Sequence, residues 1–427
     1  MTRHVAPTAA ALCLFLAACS SSQTTDASFE GVDDPTTAEG LAAGQVAGPT
    51  ASSAGTEPAG SARVLPTGID EMALAEIGPD GVVSTSTTVA VKPVTTIRGG
   101  GGDSTSMYRG VLGSLGPDEV VVAPIVEPPA GAEGVMPLTG EFGVVPSRSA
   151  AVVKIDNSPA ARPQTGLNVA DIVVEEEVEG GLTRLAAIFH SRTTTVGPVR
   201  SGRTTDIGVL ASLGTPLLIY SGANRVTDTL LRRQSAVQNR SFETSSGYWR
   251  GRGKAPSNLF TDLGDHWASA TGGPPPPLFA YRDRSDPVLG SPVSELSITF
   301  PANRVRWSWD EGASSWLRYQ GSSAHTVFAG EQVTAANVVV VEAREVATGM
   351  VDGAGSSVPE FVFVGTGPVS VFTAGNRIDG VWTRPTLSSV ATLTTPEGQI
   401  IELTTGRTWI ELIRDDRDML SSLAAAR

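Results

Sequence analysis

The chain has 427 residues, 31 Lys and Arg against 44 Asp and Glu for a formal charge of −13, and 40% apolar but only 6% aromatic residues. The acidic balance excludes a nucleic-acid binder as a class, because there is no basic excess to displace counterions from phosphates. Two cysteines and no Gly-X-Y period exclude a disulfide scaffold and a collagen-like fibre, and the length sets a prior of two to three domains.

Residues 1–18 read as an export signal: Arg3 and His4, an apolar run from Val5 to Leu16 broken by Pro7, then small residues before Cys19. The run is too short to span a bilayer. Leu16-Ala17-Ala18-Cys19, followed by three serines, looks like a lipoprotein cleavage box in which Cys19 is diacylated (palmitate) and becomes the mature N-terminus. The expectation is an exported protein, anchored by lipid to the outer face of the cell membrane. Cys13 falls in the removed segment, so no disulfide is expected.

From 19 to 136 the chain is rich in Ala, Gly, Ser, Thr, Pro and acids, with Phe29 and Tyr108 as its aromatics. Such a segment buries too little apolar surface to offset the entropy of ordering, and it is predicted to be a disordered tether. Its root-mean-square span is on the order of 60 Å for a flexible coil of this length. Two short apolar pieces, Ile69 to Ile77 and Val120 to Val126, are candidates for transient pairing or an edge strand. Residues 20–140 hold 15 acids and 4 bases, whereas residues 141–427 hold 29 acids and 26 bases, 24 of them Arg. Acidity therefore belongs to the tether, and the remainder is nearly neutral.

A first folded domain is expected over 137–290. Ala151 to Ile155 reads as a buried strand ending in Asp156-Asn157, and Asp171 to Val178 as a second, whose alternation sets Asp171, Val173, Glu175 and Glu177 on one face. Glu179-Gly180-Gly181 fits a hairpin connection to a third strand, Leu185 to Phe189. After Val196 to Arg203 a helix is predicted to about Leu213 with Ser201 as N-cap. Leu217 to Tyr220 reads as a strand, Ser221 to Asn224 as a turn and Val226 to Arg233 as a short helix.

Asp156-Asn157, Ala161 to Gln164, Ala170 to Val173, Glu179 to Gly181, Thr183-Arg184 and Gly197 to Ser201 with Arg203 together resemble the N-terminal domain of the YerB-like bacterial lipoproteins. Val364 to Trp382 and Gly398 to Leu412 resemble the C-terminal domain of the same family. The resemblance covers about 137–415 and implies two domains of unassigned activity. It departs at Ser257, where family members often carry histidine, which puts any role needing that imidazole in doubt.

Gly272-Gly273 and Pro274 to Pro277 break regular structure. The second domain, 291–415, reads as short strands with turns at Ala374 to Asn376 and Pro396 to Gly398, and 416–427 as a C-terminal tail. The fold class expected is α+β: a mixed α/β N-terminal domain, then a smaller β-rich antiparallel domain. Trp307, Trp309, Trp316, Trp382 and Trp409 fall in that half, as core or as a stacking surface.

Arg200 and Arg203 at a helix start, with Arg184, face the carboxylates Asp171, Glu175, Glu177 and Glu179. Three readings stand. The guanidiniums form a site for a phosphate or carboxylate, lined also by Asp156, Asn157, Ser201 and Asn224; the carboxylates take a divalent metal; or the charges form a buried network that fixes strands and loops. The function expected is an envelope binding module for an anionic cell-wall polymer or an exported partner, with no cofactor and no resident metal. One alternative is an enzyme on a phosphate-linked or glycan envelope substrate with Asp171 and Glu175 as base or metal ligands. The other leaves the charges structural and gives partner binding to the β-rich domain.

Overall fold

The computed structural model describes residues 131–352 and 355–425. The export signal, Cys19 and the tether as far as residue 130 lie outside the described residues. Strands form where β-branched and aliphatic residues run together. Ile172–Glu177 pairs antiparallel with Thr183–Phe189, and Thr183–Phe189 pairs antiparallel with Ala151–Asp156. Gly180 and Gly181, at φ +71° and +70°, close the connection in a conformation that side chains with a Cβ avoid. Leu217–Tyr220 adds in parallel beyond Ala151–Asp156, followed by Gln238–Ser241. In the C-terminal half Ser291–Phe300, Asn303–Asp310 and Ser315–Gln320 form an antiparallel meander. Gly365–Thr373 and Asn376–Arg384 form a hairpin over Ala374-Gly375.

The two halves share one sheet. Asn337–Ala343 pairs in parallel with Thr408–Arg414, which pairs in parallel with Ile172–Glu177, so a single sheet of sixteen strands runs through both. The C-terminal half is therefore not purely antiparallel. After the Gly365–Arg384 hairpin the chain crosses back and enters Thr408–Arg414 in the direction of Asn337–Ala343, the long connection that parallel pairing requires.

Alternation along the strands sends Val153, Ile155, Val173, Ala187 and Trp409 to one apolar cluster and Val152, Val174, Ala186 and Leu412 to the other. Both faces are thus covered, which is why these strands read as continuous apolar runs. Trp307, Trp316, Trp382 and Trp409 are core residues. The described residues are predominantly strand, and α-helix among them is limited to Thr205–Leu210, Arg225–Arg232 and Leu263–Trp267.

Two ends differ from expectation. Ala132–Val135, assigned to the tether, pairs with Phe142–Val145. Leu420–Ala424, assigned to the tail, pairs with Ser291–Phe300. The segment carries no apolar alternation and is exposed along most of its length, so its pairing comes from the open edge of Ser291–Phe300 and not from a core-facing pattern of its own.

Candidate functional site

The carboxylates of Asp171 to Glu179 do not converge. Each takes its own partner. Glu175 Oε2 meets Arg318 Nη2, Glu176 Oε1 meets Lys154 Nζ, Glu177 accepts two bonds from Arg414 at 2.8 and 3.0 Å, and Glu179 Oε2 accepts from Arg203 Nη2 at 2.6 Å. Asp171 sits at the opposite end of its strand from Glu176 and Glu177, with Oδ2 accepting from the Ser191 N–H at 2.9 Å and from the His190 N–H. Burial pushes its carboxyl pKa up against those hydrogen bonds. The expected row of carboxylates is thereby corrected: the strand is buried on both faces, so each acid needs hydrogen-bond donors of its own, cationic for Glu175, Glu176, Glu177 and Glu179 and neutral for Asp171.

Glu175 belongs to a closed ring across the two halves. Asn157 Nδ2 donates to Glu175 Oε1 at 3.0 Å, Gln164 Nε2 donates to Asn157 Oδ1 at 3.0 Å, and His325 Nε2 meets Gln164 Oε1 at 2.8 Å. Arg318 closes the ring by donating to His325 Nδ1 and to Glu175. Arginine can only donate, so Nδ1 accepts and the imidazole proton lies on Nε2. Burial, with Arg318 and Arg162 nearby, holds His325 well below its ordinary pKa. Asn157, Gln164 and Glu175 are buried within this ring, on the face of the sheet away from Arg184.

On the other face of the sheet the guanidiniums do gather. Asp156 ends its strand directly opposite Arg184. Its Oδ2 accepts from Ser257 Oγ at 2.6 Å, Ser158 Oγ at 3.1 Å and Arg200 Nε at 3.2 Å, and Oδ1 accepts from the Ser158 N–H at 3.0 Å. Burial pushes the Asp156 pKa up, but the bonds from Ser257 and Ser158 and the charges of Arg200 and Arg184 outweigh it and leave it lowered. The serine at the departure from the family pattern thus holds the aspartate beside the arginines.

Arg184 is 9% exposed and makes a 3.3 Å bond to the Ser201 carbonyl. Burial, then repulsion from Arg203 and Arg200, lowers it to about 10 against the pull of Glu179 and Asp156. Arg203 also donates to the Gly202 carbonyl at 2.8 Å. Arg200 keeps a quarter of its side chain in solvent. Behind these groups Lys154 Nζ lies 2.8 Å from Asp206 Oδ1 as well as against Glu176. Three guanidiniums with two carboxylates therefore lie outside a lysine held by two more.

Two expectations fail here. Ser201 is no N-cap, because 200–202 runs extended: the Arg200 N–H donates to the Lys154 carbonyl and the Gly202 N–H to the Gly222 carbonyl. The helix begins at Thr205, and Asp206 Oδ2 takes the Arg203 N–H at 2.7 Å, so a free helix N-terminus does not contribute to anion binding. Asn224 is the N-cap of Arg225–Arg232, accepting from the Thr227 N–H at 2.9 Å. Among the described residues no group of three or more His, Cys, Asp and Glu could hold a metal. Sequence reading missed Lys154, Arg318, His325 and Glu411; a lysine inside an apolar run at 154 was the one available signal.

Residues 138–273 match the family described as "Protein of unknown function (DUF3048) N-terminal domain" and residues 296–410 match the corresponding C-terminal domain. The chain is 29% identical over 301 residues to the Bacillus subtilis (strain 168) protein called "Putative lipoprotein YerB", covering 65% of this chain and 86% of that one. A crystal structure of the YerB protein from Bacillus subtilis superposes with a TM-score of 0.57 at 25% identity, covering 67% of this chain and 98% of the other.

Proposed function

From the premise that the chain belongs to the YerB-like family, we propose that it is a lipid-anchored envelope protein that binds an anionic group, phosphate or carboxylate, through Arg184, Arg200 and Arg203. The name of the Bacillus subtilis relative supports the lipid anchor, and Cys19 is the residue that would carry it. The observation that carries the ligand is Arg184. It is nearly buried beside two like charges with one long bond to a backbone carbonyl. An incoming anion offsets that repulsion and supplies acceptors to Arg184 and to the partly exposed Arg200, and charge-assisted bonds of this kind are the strong ones. Asp156 and Glu179 orient the guanidiniums and exclude a second anion by repulsion, which fits a single phosphate or carboxylate better than a polyanion.

The enzyme reading does not gain from the geometry. Asp171 lies at the far end of its strand, and Glu175 is locked on the opposite face of the sheet against Arg318.

The test is thermal unfolding of the full chain with and without inorganic phosphate. The melting temperature is expected to rise with phosphate, and Arg200→Gln, at a partly exposed position, to remove the rise. No rise in the wild-type protein, or an equal rise in Arg200→Gln, rejects the site.

A further inference from the structure

At the other end of the Ile172–Glu177 strand, away from Arg184, a cavity of about 520 Å³ opens between the two halves. Its volume lies within the range of small-molecule sites, roughly 300–1,000 Å³, but its lining is polar. Glu141, Arg192 and Arg284 come from the N-terminal half, and Glu331, Gln332 and Arg407 from the C-terminal half.

Arg407 is the fixed member. It donates to the Asn168 carbonyl and to Thr334 Oγ1. Burial and the charge of Arg192 lower its pKa, while Glu141, Glu331 and Asp171 oppose them, so all these charges act on the same space. Arg284 makes a 3.1 Å bond to the Thr405 carbonyl. Glu141, Arg192 and Glu331 have no side-chain hydrogen bond or ion pair among the described residues. Opposite charges thus face one cavity without closing it by pairing with each other. Gly406 keeps it open: at φ +131° a Cβ there would stand 2.9 Å from Ala336 Cβ and 3.4 Å from Arg284 Nη2.

We propose that this cavity is a second binding site, for a small zwitterion of the amino-acid or short-peptide class, whose carboxylate is held by Arg192 and Arg284 and whose ammonium is held by Glu141 and Glu331. A polyanion is opposed by the two glutamates. An aromatic or lipid ligand finds no matching wall, since Val169 and Ala336 are the apolar residues in the lining. A ligand with both charges and little apolar surface is the class that satisfies both sets of groups.

The experiment is calorimetric titration of the full chain, at neutral pH and low salt, with triglycine, N-acetyl-triglycine and triglycine amide. Triglycine binds, and removing either terminal charge weakens binding about tenfold, the value of one charge-assisted hydrogen bond. Arg192→Gln erases the preference for triglycine over its amide and retains the preference over the N-acetyl form; Glu141→Gln does the reverse. Both residues are exposed, so the variants keep the fold, and their melting temperatures verify this. The proposal is overturned by the absence of saturable binding at millimolar triglycine, by equal binding of the three probes, or by variants that weaken all three alike.

Discussion

Glu411 stands directly opposite Glu175 in the parallel seam that joins the two halves, and both are fully buried. Two ionised carboxylates cannot share such a place. Burial first, and then the charge of Glu175, push Glu411 well above the ordinary carboxylate range, against the opposing effects of Arg318 and the Trp307 indole, which donates to Glu411 Oε1 at 2.9 Å. Glu411 is therefore the carboxyl of the pair that holds its proton more tightly, while the Arg318 guanidinium pairs with Glu175.

That assignment fixes a pH dependence. A carboxyl whose folded pKa is raised binds its proton more tightly in the folded state, so its contribution is full below about pH 4.5 and is lost as pH rises through the folded value. One such proton changes stability by about 1.4 kcal/mol per pH unit across the window. Glu411→Gln keeps an acceptor for Trp307 and a donor for Glu175 without titrating. The variant is expected to gain stability over the wild type as pH rises above 4.5, measured by urea unfolding at several pH values; parallel curves for the two proteins would refute the raised pKa of Glu411.

Removing Arg318 has the opposite effect. Its guanidinium is fully buried, pairs with Glu175 and lies 4.7 Å from the centre of the Trp409 ring. Arg318→Ala leaves an uncompensated charge at the seam and is expected to destabilise by about 3–5 kcal/mol. Because the ring of Glu175, Asn157, Gln164, His325 and Arg318 spans both halves, unfolding should stay a single transition with both halves lost together. A calorimetric trace in which the halves separate in the wild-type protein contradicts the shared sheet.

The strands were legible because their aliphatic runs are long and buried on both faces, as at Val152-Val153 and Val338 to Val341. The seam was not. Nothing in the pattern of Ile172–Glu177 records that Thr408–Arg414 lies beside it, because parallel pairing between remote strands leaves no turn signal and no register mark. Asp156, Arg184 and Arg200 were legible as a cluster because a motif keeps them close to strand ends. Glu175 and Asn157 were misassigned to that cluster because adjacent residues on a strand point to opposite faces, and one step decides which charge meets Arg200 and which meets Arg318.

The histidines titrate in the other direction. His266 Nε2 lies 2.7 Å from Thr261 Oγ1, and that hydroxyl donates to the Gly247 carbonyl at 2.7 Å, so the imidazole donates through Nε2. Burial first, and then the charge of Arg240, lower it to about 4 from 6.5. A depressed pKa gives stability that is present above 6.5 and lost as pH falls towards 4. His266→Gln preserves the donor and is expected to reduce the loss of stability between pH 6.5 and 4; an unchanged acid limb would show that this imidazole is not buried as a neutral donor.

Lys154 offers the sharpest test of the face beneath the arginines. It is fully buried between Glu176 and Asp206, and despite burial the two carboxylates raise its pKa. Methionine matches its stem but carries no charge, so Lys154→Met leaves two buried acids facing each other. The loss is expected to be about 3–5 kcal/mol near neutral pH. It should shrink on acidification, because protonation of Glu176, whose pKa burial and the charge of Asp206 push up, removes the repulsion. Changing Glu176 to Gln in the same chain removes one of the two acids and is expected to recover part of the stability at neutral pH. If Lys154→Met alone is as stable as the wild type at neutral pH, the lysine is not the counter-ion that seats the Thr205–Leu210 helix on the sheet.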